Sequence, residues 1–150
     1  MKPARTAAPA FSAPSSTSKT ISLSDYVGKG RYLVLYFYPA SFTRETVCFR
    51  DAQAQLDALG ADLLGISPDS IETQVQFASH YQLRFPVLAD PDRTIARSYG
   101  ALFPIVSRVQ RLTFVVDPDG YIAARFHHEL RFERHVDEAV TFIKKVRGTS

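Results

Sequence analysis

The chain has 150 residues, 45% of them hydrophobic, 22% charged and 12% aromatic, a globular composition that excludes a disordered or fibrous chain. Eighteen Lys and Arg against 15 Asp and Glu give a net charge of +3, too small and too scattered to point to nucleic acid. One cysteine, Cys48, excludes an internal disulfide framework and a cysteine-built metal site, and no run approaches the roughly 18 apolar residues of a membrane span.

Residues 1–19 are rich in Ala, Pro, Ser and Thr and carry no acid. The first seven are expected to form a flexible tail, and 8–150 a single domain long enough to bury about 70% of its unfolded surface. The stretch from Met1 to Lys19 lacks the apolar region of a secretory signal, so the expected location is the cytoplasm.

Ile21 and Leu23 alternate with polar neighbours, and Tyr32 to Tyr38 is a β-branched and aromatic run bounded by Gly30 and Pro39, which reads as a central strand. After a short loop, Thr43 to Leu59 has helical periodicity, with Cys48 or Phe49, Ala52, Leu56 and Leu59 along one stripe and Gly60 as the stop. Ala61 to Ser67 reads as a second buried strand. Pro68-Asp69-Ser70 then caps a helix whose apolar stripe is expected on Ile71, Val75, Ala78 and Gln82, with Glu72 three residues after Asp69.

Phe85 to Leu88 is expected as a short third strand and Asp92 to Tyr99 as a short helix ended by Gly100. Gln110 to Val116 and Tyr121 to Phe126 flank Asp117-Pro118-Asp119-Gly120, a strong signal for an antiparallel hairpin. Arg134 to Arg147 closes the chain as an amphipathic helix on Val136, Ala139, Val140, Ile143 and Val146. Alternating strands and helices, then a hairpin and a last helix, make an α/β architecture on a mixed sheet. Functional groups are expected where strand Tyr32 to Tyr38 hands over to the next helix.

Several segments carry a resemblance. They are Ala8-Pro9-Ala10-Phe11, then Ile21-Ser22-Leu23-Ser24-Asp25-Tyr26 with Gly28-Lys29, then Tyr36-Phe37-Tyr38-Pro39, Gly65-Ile66-Ser67-Pro68-Asp69-Ser70, and Arg111-Leu112-Thr113-Phe114 running into Asp117-Pro118-Asp119-Gly120. Together they resemble the peroxiredoxins of the bacterioferritin-comigratory (Q) group, over nearly the whole chain. The resemblance implies a thioredoxin-like fold, with a mixed central sheet flanked by helices, an N-terminal extension and a C-terminal helix. It also implies a thiol-dependent peroxidase that reduces hydrogen peroxide and organic hydroperoxides through a cysteine sulfenic acid and needs no cofactor.

The family's signature is Pro, three residues, Thr, two residues, Cys, with an Arg from a later strand. Pro39, Thr43 and Arg111 match, and imply a proline that limits water access, a hydroxyl that orients the peroxide and a cation that favours the thiolate. The cysteine position departs from the pattern: Thr46 stands three residues after Thr43, while Cys48 stands five after it and directly before Phe49-Arg50-Asp51, a run the family has further along the helix. Counted back from that run, a short segment with the family's Pro-Gly-Cys-Thr turn is absent between Thr43 and Arg44. In a helix, a two-residue offset turns a side chain by roughly 200°.

Three readings of Cys48 stand side by side: a peroxidatic nucleophile in a remodelled loop, a remnant near the family's optional second cysteine, or a core residue on the stripe with Ala52, Leu56 and Leu59. With one cysteine, a sulfenic acid would be resolved by thioredoxin, glutaredoxin or a small thiol, or by a second subunit's Cys48. A monomer or weak homodimer is expected, with no nucleic-acid or membrane partner. The competing reading is a catalytically degenerate scaffold acting as a binding or chaperone-like module.

Two further groups of charged and titratable residues stand out. His127 and His128 with Glu129, Glu133 and His135 suggest a metal, but neighbouring strand residues point to opposite faces, so no metal site is assigned. Given this fold, Arg44, Arg50 and Arg111 are expected near the Pro39 loop, which would suit a thiolate or an anionic ligand, with solvated surface an equal reading of Arg44 and Arg50.

Overall fold

In the computed structural model, residues 6–40, 44–106, 108–129 and 132–148 are described. Thr6 and Ala7, expected in the tail, are tied down: the Ile122 amide donates to the Thr6 carbonyl at 2.8 Å, and Ala7 bridges Tyr121. A small antiparallel hairpin follows, β1 (Ser12–Pro14) with β2 (Thr20–Ser22), and a 3₁₀ turn at Leu23–Asp25.

The main sheet is built from β3 (Tyr32–Phe37), β4 (Ala61–Ser67), β5 (Val87–Ala89), β6 (Leu112–Val116) and β7 (Ile122–His127), in the order β5-β4-β3-β6-β7. β3 and β4 run parallel, as do β4 and β5, whereas β6 is antiparallel to both β3 and β7. Strand β3 is central and covered on both faces, which is why its sequence is an unbroken apolar and aromatic run rather than an alternating one. The β6–β7 turn places Gly120 at φ +94°, a left-handed conformation that glycine adopts without strain.

Helices α1 (Arg44–Ala58), α2 (Ile71–His80), α3 (Thr94–Ser98) and α4 (Phe132–Arg147) complete the fold. Leu33, Leu35 and Phe37 face one core with the N-terminal segment and α3, while Val34, Tyr36 and Tyr38 face the other with α1, α2 and α4. In α4, Val136, Ala139, Val140 and Ile143 are buried as the periodicity requires, but Val146 in the last turn is exposed. There Arg147 reaches the carbonyls of Gly30 and Gly60 and lies over the Tyr32 ring.

Two helices differ from expectation. In α2 the buried residues are Gln74 and Phe77, and Val75 is 43% exposed, so the buried face is turned by one residue from the predicted stripe. Phe77 packs against Tyr38 and Tyr81, and the Gln74 amide binds Tyr38, Ser67 and the Leu88 carbonyl; a fully paired buried amide overrides a purely apolar pattern. The helix is capped by Ser70, whose hydroxyl accepts from the Thr73 amide, not by an Asp69–Glu72 box. Helix α3 is shorter than predicted because its amides at Ile95 and Ala96 are held by the buried carboxylate of Asp90, upstream of the expected start.

Candidate functional site

The parallel strands β3 and β4 both end where α1 and α2 begin, at the edge of the sheet that favours functional groups in α/β folds. Tyr38 follows β3 and is fully buried; its hydroxyl donates to Gln74 Oε1 at 3.0 Å. Pro39 comes next and is half-buried. The expected peroxide-orienting Thr43 lies outside the described residues, as does the side chain of Arg44.

Helix α1 is anchored from its first turn. Thr46 is fully buried and accepts a hydrogen bond from the Tyr36 hydroxyl at 3.0 Å, and Phe49 stacks on the Tyr36 ring with centroids 4.5 Å apart. Thr46, Phe49 and Leu56 therefore define the inward stripe of the helix. Cys48 flanks that stripe: it is half-buried and packs against the core that holds Val34, Tyr36 and Phe49. As the fifth residue of the helix it sits about 6 Å along the axis from the first, past the turn where the macrodipole acts most strongly. Position 46, where the signature would put its sulfur, is thus committed to the core.

Arg111 enters from the antiparallel side. Leu112 pairs with Phe37 in the β3–β6 register, which brings Arg111 beside Tyr38 and Pro39 at the end of β3. Strand alternation puts Arg111 on the face of Thr113 and Val115, the face covered by α1 and α4, and its Nη1 is buried. Its backbone amide donates to Glu129 Oε2 at 2.8 Å. Pro39 and Arg111 therefore meet at one sheet end although 72 residues separate them, and Cys48 lies on α1, which covers the face to which Arg111 belongs.

The expected arginine cluster does not form through Arg50. Its Nε donates to Asp51 and its Nη1 to the Tyr81 carbonyl, so the side chain leans toward the end of α2 and lines a cavity of about 430 Å³ with Gln82 and Arg84. A larger groove of about 960 Å³ lies between β1, the start of α2 and the Asp90–Ile95 segment, and includes none of Pro39, Cys48 or Arg111.

The histidines are engaged locally. His127 pairs with Glu129 at 2.7 Å and His128 with Glu138 at 2.9 Å. His135 is buried, with Nδ1 2.8 Å from Thr113 Oγ1 and Nε2 2.8 Å from the His128 carbonyl. The carbonyl requires a proton on Nε2, so in the neutral ring Nδ1 accepts from the threonine. Burial pushes the His135 imidazole below its usual range, and the hydrogen bond to the His128 carbonyl opposes that shift without cancelling it. The role of Glu129 at Arg111 was not legible in sequence, where it stood only as a metal candidate.

This arrangement, a cysteine near the start of the helix that follows the central strand of a thioredoxin-like sheet, defines a class of thiol proteins. The AhpC/TSA family model matches residues 4–125. A putative peroxiredoxin bcp of Coxiella burnetii is 34% identical over 143 residues, covering 89% of this chain and 93% of its own. A putative peroxiredoxin of Mycobacterium tuberculosis is 39% identical over 125 residues, covering 77% and 78%. The crystal structure of peroxidoxin BcpB from Mycobacterium tuberculosis superposes with a TM-score of 0.87 at 28% identity, over 95% of this chain and 96% of that one. The chain belongs to the AhpC/TSA family, among its peroxiredoxins of the bacterioferritin-comigratory and Q type.

Proposed function

We propose that Cys48 is the peroxidatic sulfur of this thiol-dependent peroxidase, and that Arg111 favours its thiolate. The observation that carries the reading is the position of the chain's one cysteine: half-buried near the start of α1, on the sheet face to which Arg111 belongs. Cys48 is less enclosed than Thr46 and Phe49, its fully buried neighbours on the same helix.

The thiolate of Cys48 attacks one peroxide oxygen. The O–O bond breaks, a Cys–S–O bond forms, and the departing alkoxide or hydroxide takes a proton to leave as alcohol or water. Sulfur is oxidised to the sulfenic acid and the peroxide is reduced. With no second cysteine in the chain, an external thiol, from thioredoxin, glutaredoxin or a small molecule, displaces water to form a mixed disulfide, and a second thiol restores Cys48. Pro39 covers the exit of β3, and Thr43 is assigned to the peroxide by its place in the signature. Among the described residues, no helix is long and apolar enough to cross a membrane. We assign the reaction to the cytoplasm because it draws on thiol reductants of the kind maintained there.

The test is to treat the reduced protein with stoichiometric hydrogen peroxide in the presence of dimedone and to weigh the peptide containing Cys48. Fast labelling at low peroxide is expected, slowed in Arg111→Ala. An unmodified Cys48 overturns the assignment and leaves a degenerate scaffold.

A further inference from the structure

We infer that Glu129 is a positioning residue for Arg111: its carboxylate continues the hydrogen-bonded ladder past the start of β6 and so fixes the backbone that carries the guanidinium. This rests on the reading of Arg111 given above.

The register shows why the position needs help. The β3–β6 ladder ends at Phe37 with Leu112, and the β6–β7 ladder ends at Leu112 with His127. Arg111 is thus the first residue beyond both ladders, between the strand and Gln110, whose amide donates to the Ala101 carbonyl, and its own amide needs an acceptor from outside the ladders. At that point the Arg111 amide donates to Glu129 Oε2 at 2.8 Å, a side chain from just beyond β7 standing in for a strand carbonyl. A charged acceptor makes this bond stronger than the ladder bonds it replaces.

The carboxylate is itself held. The same Oε2 lies 2.7 Å from His127 Nε2, and His127 is the residue that pairs with Leu112. A second tie lies one residue into the strand: Thr113 Oγ1 meets His135 Nδ1, and His135 Nε2 donates to the His128 carbonyl. The corner His127–Glu129 is therefore joined to β6 on both sides of Leu112. The histidines and glutamate that suggest a metal site in the sequence serve instead as a clamp on the strand start. Glu129 touches no reacting atom in this scheme and acts only through Arg111.

The experiment measures the rate of Cys48 alkylation by iodoacetamide against pH in the native wild-type protein and in Glu129→Ala, Glu129→Gln and Arg111→Ala, with circular dichroism to confirm folding. Loss of the clamp is expected to slow alkylation at neutral pH roughly three- to tenfold by raising the thiol titration, whereas Gln, which keeps an acceptor oxygen, stays within about twofold. If Arg111→Ala leaves the profile unchanged, the role of Arg111 itself falls. If Arg111→Ala shifts it and Glu129→Ala does not, only the inference about Glu129 falls. A Glu129→Ala defect that Gln does not rescue also overturns the hydrogen-bond account, because charge alone would then be responsible. Should Glu129→Ala fail to fold, Glu129→Asp replaces it: its shorter side chain keeps the charge but cannot reach the amide, so it is expected to show the same slowing, and a wild-type profile overturns the inference.

Discussion

Gly65→Ala separates two opposing effects at the root of the site. In the interior of a strand, glycine costs roughly 0.5–1 kcal/mol through its loss of backbone freedom, so alanine would be stabilising if there were room for it. There is not. Gly65 lies directly opposite Tyr36 in the β3–β4 register, and a Cβ there would stand 2.8 Å from both Cζ and the hydroxyl oxygen of Tyr36. The ring cannot swing aside cheaply, because it is stacked on Phe49 at 4.5 Å and Tyr38 at 5.2 Å, and its hydroxyl donates to Thr46. Overpacking of this kind costs about 1–3 kcal/mol, and displacing the hydroxyl from Thr46 adds about 1 kcal/mol. Set against the backbone gain, the net destabilisation is roughly 1–3 kcal/mol, or a fall in Tm of roughly 2–12 °C for a chain of this size. Urea unfolding followed by circular dichroism measures it. Tyr36→Phe removes one of the two closest atoms, so the double variant should be more stable than additivity predicts by about 0.5–1 kcal/mol. An alanine variant as stable as the wild type, or more so, would refute the packing argument.

Three further outcomes follow from the same geometry. Thr46→Cys in a Cys48→Ser background puts a thiol at the position counted from the signature; because residue 46 is fully enclosed, it should resist iodoacetamide until the protein is unfolded, and fast native alkylation would contradict the placement of α1. His135 holds its proton less tightly folded than unfolded, so the unfolded chain takes up the extra proton as pH falls. Its contribution to stability is present above about pH 6.5, is lost as pH drops below that value, and levels off once the folded-state pKa is passed. The wild-type urea midpoint should therefore fall more steeply than that of His135→Asn between about pH 7.5 and 5, and parallel curves would refute the assignment. Gln74→Leu removes the amide joining Tyr38, Ser67 and the Leu88 carbonyl. It should cost roughly 1–3 kcal/mol in urea unfolding, because buried polar partners lose an acceptor and a donor; a neutral effect would show that the cavity repacks.

The central strands and the order of the main elements were legible from local pattern, since a strand covered on both faces must be apolar throughout and a helix must repeat every three to four residues, whereas β1 was not expected and the strand expected at Phe85 to Leu88 lies at Val87–Ala89. The run from Tyr32 and the strand at Ala61 to Ser67 were read within a residue of their observed limits. The resemblance carried the family and the thioredoxin-like sheet. What periodicity could not supply was phase and partnership. The buried face of α2 depended on Gln74 finding three partners on other elements, and the start of α3 on Asp90 reaching across to its amides. The direction taken by Arg50 depended on the Tyr81 carbonyl at the end of α2. Arg111 and Glu129 are 18 residues apart, and only the ending of two ladders at Leu112 gives their hydrogen bond a purpose. Local sequence determines which segments form strands and helices because those preferences act over one or two turns. The surroundings of Cys48 were decided by the tertiary structure, because burial and hydrogen-bond partners there come from chain segments that meet only when the sheet closes.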